Sequence, residues 1–133
     1  MSSQSCVTIH KEWDIVAARQ MGREIAKQLG FGTVDQARIT TAISELARNI
    51  YLYAGEGKVY FEVIESLDKK GITIVATDTG PGIKDLSLVM EDGYTTSGGL
   101  GAGLPGVRRL MDEFDIESET GKGTKIVTTK WVR

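Results

Sequence analysis

The sequence predicts an α+β fold, with two long amphipathic helices near its start and strand pairs after them. Three observations carry this. Apolar residues recur at helical spacing over residues 13–29 and again over 33–53. Alternating, strand-like runs follow at 58–65, 72–77, 113–119 and 124–132, joined in pairs by polar or glycine-containing turns. At 133 residues the chain is long enough to bury a core as one domain, residues 1–133, without disulfides or a structural metal.

Taken in order, Cys6-Val7-Thr8-Ile9-His10 alternates and reads as a first strand. In the first helix, Trp13–Leu29, residues Ile15, Val16, Ala18, Met21, Ile25 and Leu29 form the apolar stripe, and Gly30-Phe31-Gly32 stops it. Thr33-Val34-Asp35-Gln36 has the form of a capping box, which starts the second helix at Thr33 and runs it to about residue 53. On that helix Ile39, Ala42, Ile43, Leu46 and Ile50 make the buried stripe. Glu45 and Asn49, four residues apart, share a different face that this stripe leaves free. Gly55-Glu56-Gly57 ends the helix, and a hairpin follows around the turn Asp68-Lys69-Lys70-Gly71. Residues 85–91 read as a short helix. A glycine-rich stretch, Gly98-Gly99-Leu100-Gly101-Ala102-Gly103, then opens into a helix marked by Val107, Leu110 and Met111. The last two strands enclose Thr120-Gly121-Lys122-Gly123-Thr124, an ordinary hairpin turn by composition.

Composition excludes several classes. The formal charge is −2, with 16 Lys and Arg against 18 Asp and Glu, and no basic stripe suits nucleic acid. Cys6 is the only cysteine, so neither an intrachain disulfide nor a zinc cluster is available, and a reducing compartment is the natural reading. No apolar run reaches membrane-spanning length and the N-terminus carries no leader pattern, so the expected location is cytoplasmic. His10, the single histidine, lies in a strand away from other candidate acids, bases or ligands and reads as a surface residue.

Two stretches carry candidate chemistry besides the Glu45/Asn49 face. Asp78-Thr79-Gly80-Pro81-Gly82 is either a plain turn or a base-binding loop. In the second case Asp78 accepts a hydrogen bond from the exocyclic amine of adenine, and Gly80 and Gly82 let the backbone close round the base. The stretch from Gly98 to Gly103 is either a linker or a phosphate-binding loop ending at a helix N-terminus, where backbone N–H groups and the helix dipole favour an anion. It is not a Walker loop, since no Gly-Lys-Ser/Thr follows. It is also a poor dinucleotide fingerprint, since no acid follows at ribose distance.

In this order, Glu45-x-x-x-Asn49, Asp78-x-Gly80-x-Gly82, Gly101-x-Gly103 and Gly121-x-Gly123-Thr124 resemble the N, G1, G2 and G3 boxes of the GHKL (Bergerat) ATP-binding fold of gyrase, Hsp90, MutL and histidine kinases. That resemblance implies a two-layer α/β sandwich, its sheet mixed and mostly antiparallel with helices on one face. It also implies roles. Asn49 would coordinate Mg²⁺ on the ATP phosphates, and Asp78 would read adenine with Thr124 in support. Gly98, Gly99, Gly101 and Gly103 would form the lid over the phosphates, and Glu45 would be the general base for an attacking hydroxyl.

Within the superfamily the stretches at 12–20, 36–51 and 110–114 are similar to the small anti-sigma-factor serine kinases and, more closely, to the stressosome switch kinases. The implied activity is Mg-ATP-dependent phosphorylation of STAS-domain scaffold proteins. The released kinase would then activate an output protein such as a PP2C-type phosphatase. Glu45 separates this reading from a histidine kinase, whose imidazole acceptor already carries a lone pair and needs no carboxylate. The chain is too short for a phosphoacceptor domain beside the ATP site, so the acceptor is another protein, or water. Two other classes stay open, a GHKL ATPase that acts on water and a non-catalytic ATP-gated binding module that would not need Glu45. The sequence departs from the related kinases in one place. They carry an arginine just before the glycine box, and here the residues are Ser97-Gly98-Gly99-Leu100. The cation for the transferred phosphoryl group is then Mg²⁺ alone, Arg48 or a partner's residue.

Overall fold

The structure, a computed structural model, describes residues 4–84, 90 and 103–133. The short helix expected at residues 85–91, except Met90, and the glycines Gly98, Gly99 and Gly101 lie outside the described residues. The element order is β1 (Gln4–Ile9), α1 (Trp13–Leu29), α2 (Thr33–Asn49) continued by a π turn (Ile50–Ala54), β2 (Gly57–Ser66), β3 (Lys69–Asp78), α3 (Gly103–Leu110), β4 (Glu113–Glu119) and β5 (Gly123–Trp131). Among the described residues five strands form one sheet in the order β1-β2-β3-β5-β4, and all four pairings are antiparallel, so the sheet is not mixed as the resemblance implied.

The helices share one face of this sheet, as the layered α+β expectation requires. Alternation along β2 and β3 turns Val59, Phe61, Ile72, Ile74 and Ala76 inward, where they meet Ile15, Ala18 and Ala26 of α1 and Ile39, Ala42, Ile43 and Leu46 of α2. Residues on the alternate register, Tyr60 and Val75 among them, are half-buried on the opposite face. The expected helix Trp13–Leu29 has those boundaries, and Gly30 closes it with two backbone bonds to Ala26 and Lys27.

Three local expectations are corrected. The capping box does not form: the cap of α2 is Gly32, no side-chain cap bond is made, and the Gln36 amide donates to Phe31 O at 2.8 Å. Burial of Phe31 in the core fixes the entry of the chain and places Thr33 inside the first turn. The helical path reaches residue 54, but its last turn is wound as a π turn, closed by Gly55 N–H on Ile50 O at 2.9 Å. The first hairpin turns at Leu67 and Asp68 alone, because Ser66 already pairs with Lys69. Lys69 and Gly71 belong to β3, where the Lys69 ammonium lies 4.2 Å from the Trp131 ring centroid and Gly71 faces Trp131 across the β3–β5 register.

One buried cation joins the ends of α2 and α3. Lys130 on β5 donates to Leu110 O at 2.8 Å and lies 3.8 Å from Asp35 and 3.7 Å from Asp112. Asp112 also accepts from Arg133 at 3.0 Å and from the Trp131 amide at 2.8 Å. Partial burial pushes the Asp112 carboxyl upward, but the Arg133 and Trp131 hydrogen bonds and the Lys130 charge outweigh it. The carboxyl is thereby held below its ordinary value of 3.8. A depressed native pKa contributes stability that is full above the unfolded value and is lost as pH falls through the native one. Asp112→Asn is therefore expected to flatten the acid limb of the melting-temperature profile below about pH 4, with a lower melting temperature at neutral pH. Thermal melts across that range check it.

Candidate functional site

The end of α2, its π turn, the end of β3 and the start of α3 enclose a cavity of about 340 Å³. This is within the range of small-ligand sites. Its walls are mainly apolar, from Leu46, Ile50, Ala76, Ile83, Leu104 and Ile126, and its polar positions include Asn49, Tyr53, Asp78 and Thr124. Gly82 and Gly103 line it as well. Of the residues singled out in the sequence, Asn49, Asp78, Gly82, Gly103 and Thr124 are therefore brought together, from positions far apart in the chain.

Glu45 is one helical turn before Asn49 and does not line the cavity itself. The sequence left this face of α2 free, yet Glu45 is only 5 % exposed, in a helix that packs against α1 on one side and α3 on another. Its Oε1 lies 3.6 Å from the Arg48 guanidinium. Its Oε2 and the Oδ1 of Asn49 are both buried without a hydrogen-bond partner. Buried polar atoms are normally satisfied, and orphans of this kind mark either strain or a site for a missing partner. Both orphans are oxygens, on consecutive turns of one helix. A single carboxamide oxygen at the rim of a cavity suits Mg²⁺, which keeps most of its shell as water and phosphate oxygens. Among the described residues no group of three or more His, Cys, Asp and Glu side chains could hold a metal alone.

Asp78 ends β3 directly opposite Thr124 on β5. The Gly80 amide donates to Asp78 Oδ1 at 2.9 Å, which fixes the carboxylate at the cavity. Gly80 does not line the cavity: a Cβ there would fall 2.6 Å from the Ala54 Cβ, so glycine lets the loop lie against the π turn. Gly82 has φ +78° and would press a Cβ into the Glu119 carbonyl, so both its conformation and its neighbours require glycine. The β4–β5 turn is tied to the same loop by Gly121 N–H on Pro81 O at 2.8 Å.

Sequence reasoning missed Ser118. Its hydroxyl accepts from the Ile83 amide at 2.7 Å, donates to Gly123 O at 3.0 Å and meets the Thr124 hydroxyl at 2.8 Å. The Thr124 hydroxyl, expected to support Asp78, is thus bonded to Ser118. The alternation of β4 and the Ser118↔Thr124 pairing were the available signals, but a serine in a strand carries no weight until its register is known.

A fold with a two-helix layer over an antiparallel sheet, and a cavity rimmed by Asn49 and Asp78, defines a nucleotide-binding class, and comparison with known proteins gives the same class. Residues 34–132 match the family model described as "Histidine kinase-, DNA gyrase B-, and HSP90-like ATPase". The chain belongs to this family and, within it, to the RsbT group of serine/threonine-protein kinases. It is 68% identical over 133 residues to serine/threonine-protein kinase RsbT of Bacillus subtilis, covering all of both chains. It is 36% identical over 120 residues to an anti-sigma F factor of Caldanaerobacter subterraneus, covering 86% of this chain and 83% of that one. Among solved structures, the RsbU and RsbW domains of a Mycobacterium tuberculosis protein match with a TM-score of 0.64 at 20% identity, over 98% of this chain and 32% of that one. The mycobacterial sensor histidine kinase MprB matches with a TM-score of 0.56 at 16% identity, over 98% and 99%. These two likenesses concern the fold alone.

Proposed function

We propose that this chain, as a single kinase domain, uses Mg-ATP to phosphorylate a serine or threonine of STAS-domain scaffold proteins. Once released, it binds and activates an output protein such as a PP2C-type phosphatase, in cytoplasmic partner switching. The observation that carries the catalytic part is the pair of orphaned, buried oxygens of Asn49, which lines the cavity, and of Glu45 one helical turn before it. Kinship with RsbT supports the scaffold and output partners. No helix among the described residues is long and apolar enough to cross a membrane.

Asp78 and Thr124 hold the base, and the apolar walls exclude water from it. Asn49 Oδ1, buried without a partner, would hold Mg²⁺, which would supply charge neutralisation at the phosphates. Gly103 starts α3 beside the cavity, where its first amides suit a phosphate oxygen; by the motif resemblance, Gly98, Gly99 and Gly101 would serve the same phosphates. Glu45 takes the proton of the acceptor hydroxyl. The hydroxyl oxygen then bonds to the γ-phosphorus as the bond from phosphorus to the β–γ bridging oxygen breaks, and ADP leaves with that electron pair. Arg48, already 3.6 Å from Glu45, is the cation this helix offers to the transferred group.

The test is the intact mass of a STAS-domain partner after incubation with the chain and Mg-ATP. Addition of one phosphate, about 80 Da, is expected on the partner. Phosphate release with no mass gain would instead indicate an ATPase acting on water. ATP binding without either product would leave a nucleotide-gated binding module.

A further inference from the structure

We propose that Ser118 sets the hydrogen-bonding polarity at the base end of the cavity, so that the site selects a 6-amino purine and rejects a 6-oxo purine. The inference rests on the reading that Asp78 and Thr124 hold the base, and it adds the determinant of base specificity.

A hydroxyl has one hydrogen to donate and two lone pairs that accept. Ser118 Oγ has three partners. The Ile83 amide, 2.7 Å away, can only donate to it. The Gly123 carbonyl, 3.0 Å away, can only accept, so the Ser118 proton is committed there. The third partner, the Thr124 hydroxyl at 2.8 Å, must therefore be the donor. With its proton used on Ser118, Thr124 has only lone pairs to offer a ligand in the cavity it lines.

Asp78 stands opposite Thr124 across the β3–β5 pairing and is an acceptor as well, with Oδ1 anchored by the Gly80 amide. Side chains directly opposite on antiparallel strands have Cβ atoms about 5 Å apart. Both residues also line the cavity, so an exocyclic 6-amine there meets an acceptor on each strand for its two protons. A 6-oxo group has only lone pairs and would confront two acceptors, between walls too apolar to solvate the mismatch.

The experiment measures dissociation constants of ATP and inosine triphosphate by calorimetry, on the whole chain, for wild type, Ser118→Ala and Thr124→Val. Wild type is expected to prefer ATP by about 100-fold or more. In Ser118→Ala the Thr124 hydroxyl is released to donate to a 6-oxo group, and the preference is expected to fall about tenfold. In Thr124→Val the affinity for ATP falls while that for inosine triphosphate does not, so the preference falls again. If Ser118 only braces the Ile83 loop, Ser118→Ala weakens both nucleotides equally and the ratio stays, which overturns the proposal. Equal binding of the two nucleotides by wild type also overturns it. Failure of wild type to bind any triphosphate rejects the nucleotide reading, and this one with it. Should Ser118→Ala not fold, an unchanged ratio in Thr124→Val is sufficient to reject the inference.

Discussion

Glu45→Gln is expected to reduce phosphoryl transfer to the partner by about 10²- to 10⁴-fold while ATP binding stays within about threefold of wild type. The substitution keeps the volume of a side chain that is 5 % exposed, in a helix that packs against α3, so folding is preserved. It removes the one property that matters for transfer, since a carboxamide oxygen does not take up the proton of a hydroxyl. Glu45 does not line the base cavity, which is why affinity for ATP should hold. Single-turnover transfer measured beside an ATP titration separates the two effects. Transfer at more than about a tenth of the wild-type rate would remove Glu45 from the role of base.

Asp78→Asn is expected to weaken ATP binding by about 100-fold, near 3 kcal/mol. The carboxamide oxygen can keep the Gly80 amide bond at Oδ1, so the loop should retain its path. Its other atom then becomes an NH₂ group, a donor set against the exocyclic amine of the base. The loss therefore includes a mismatch as well as a missing bond. Circular dichroism unchanged from wild type together with a rise in the ATP dissociation constant is the expected pair of results. An ATP affinity that survives the change would mean that Asp78 only builds the turn.

The helices and strand pairs were legible because their signals are local. Trp13–Leu29 is bounded by its own apolar period and by Gly30, and β4 keeps its predicted limits, Glu113–Glu119, through strict alternation. Boundaries failed where a distant residue decided them. Lys69 and Gly71 look like turn residues until Trp131 is laid against them; the second helix does start at Thr33 as expected, but with Gly32 as its cap and no capping box.

By itself the sequence determined the α+β class, the order of elements and the candidate set of Glu45, Asn49, Asp78 and the glycines, because periodicity and residue type are properties of adjacent positions. Only the tertiary structure decided that Glu45 is buried, that Lys130 ties Leu110 to Asp35 and Asp112, and that the Ser118 and Thr124 hydroxyls are hydrogen-bonded. Each of these depends on strand register and on the seat of α3, which bring together groups up to 95 positions apart, from Asp35 to Lys130. The polarity of a hydroxyl and the satisfaction of a buried charge are set by such neighbours, and no local pattern encodes them.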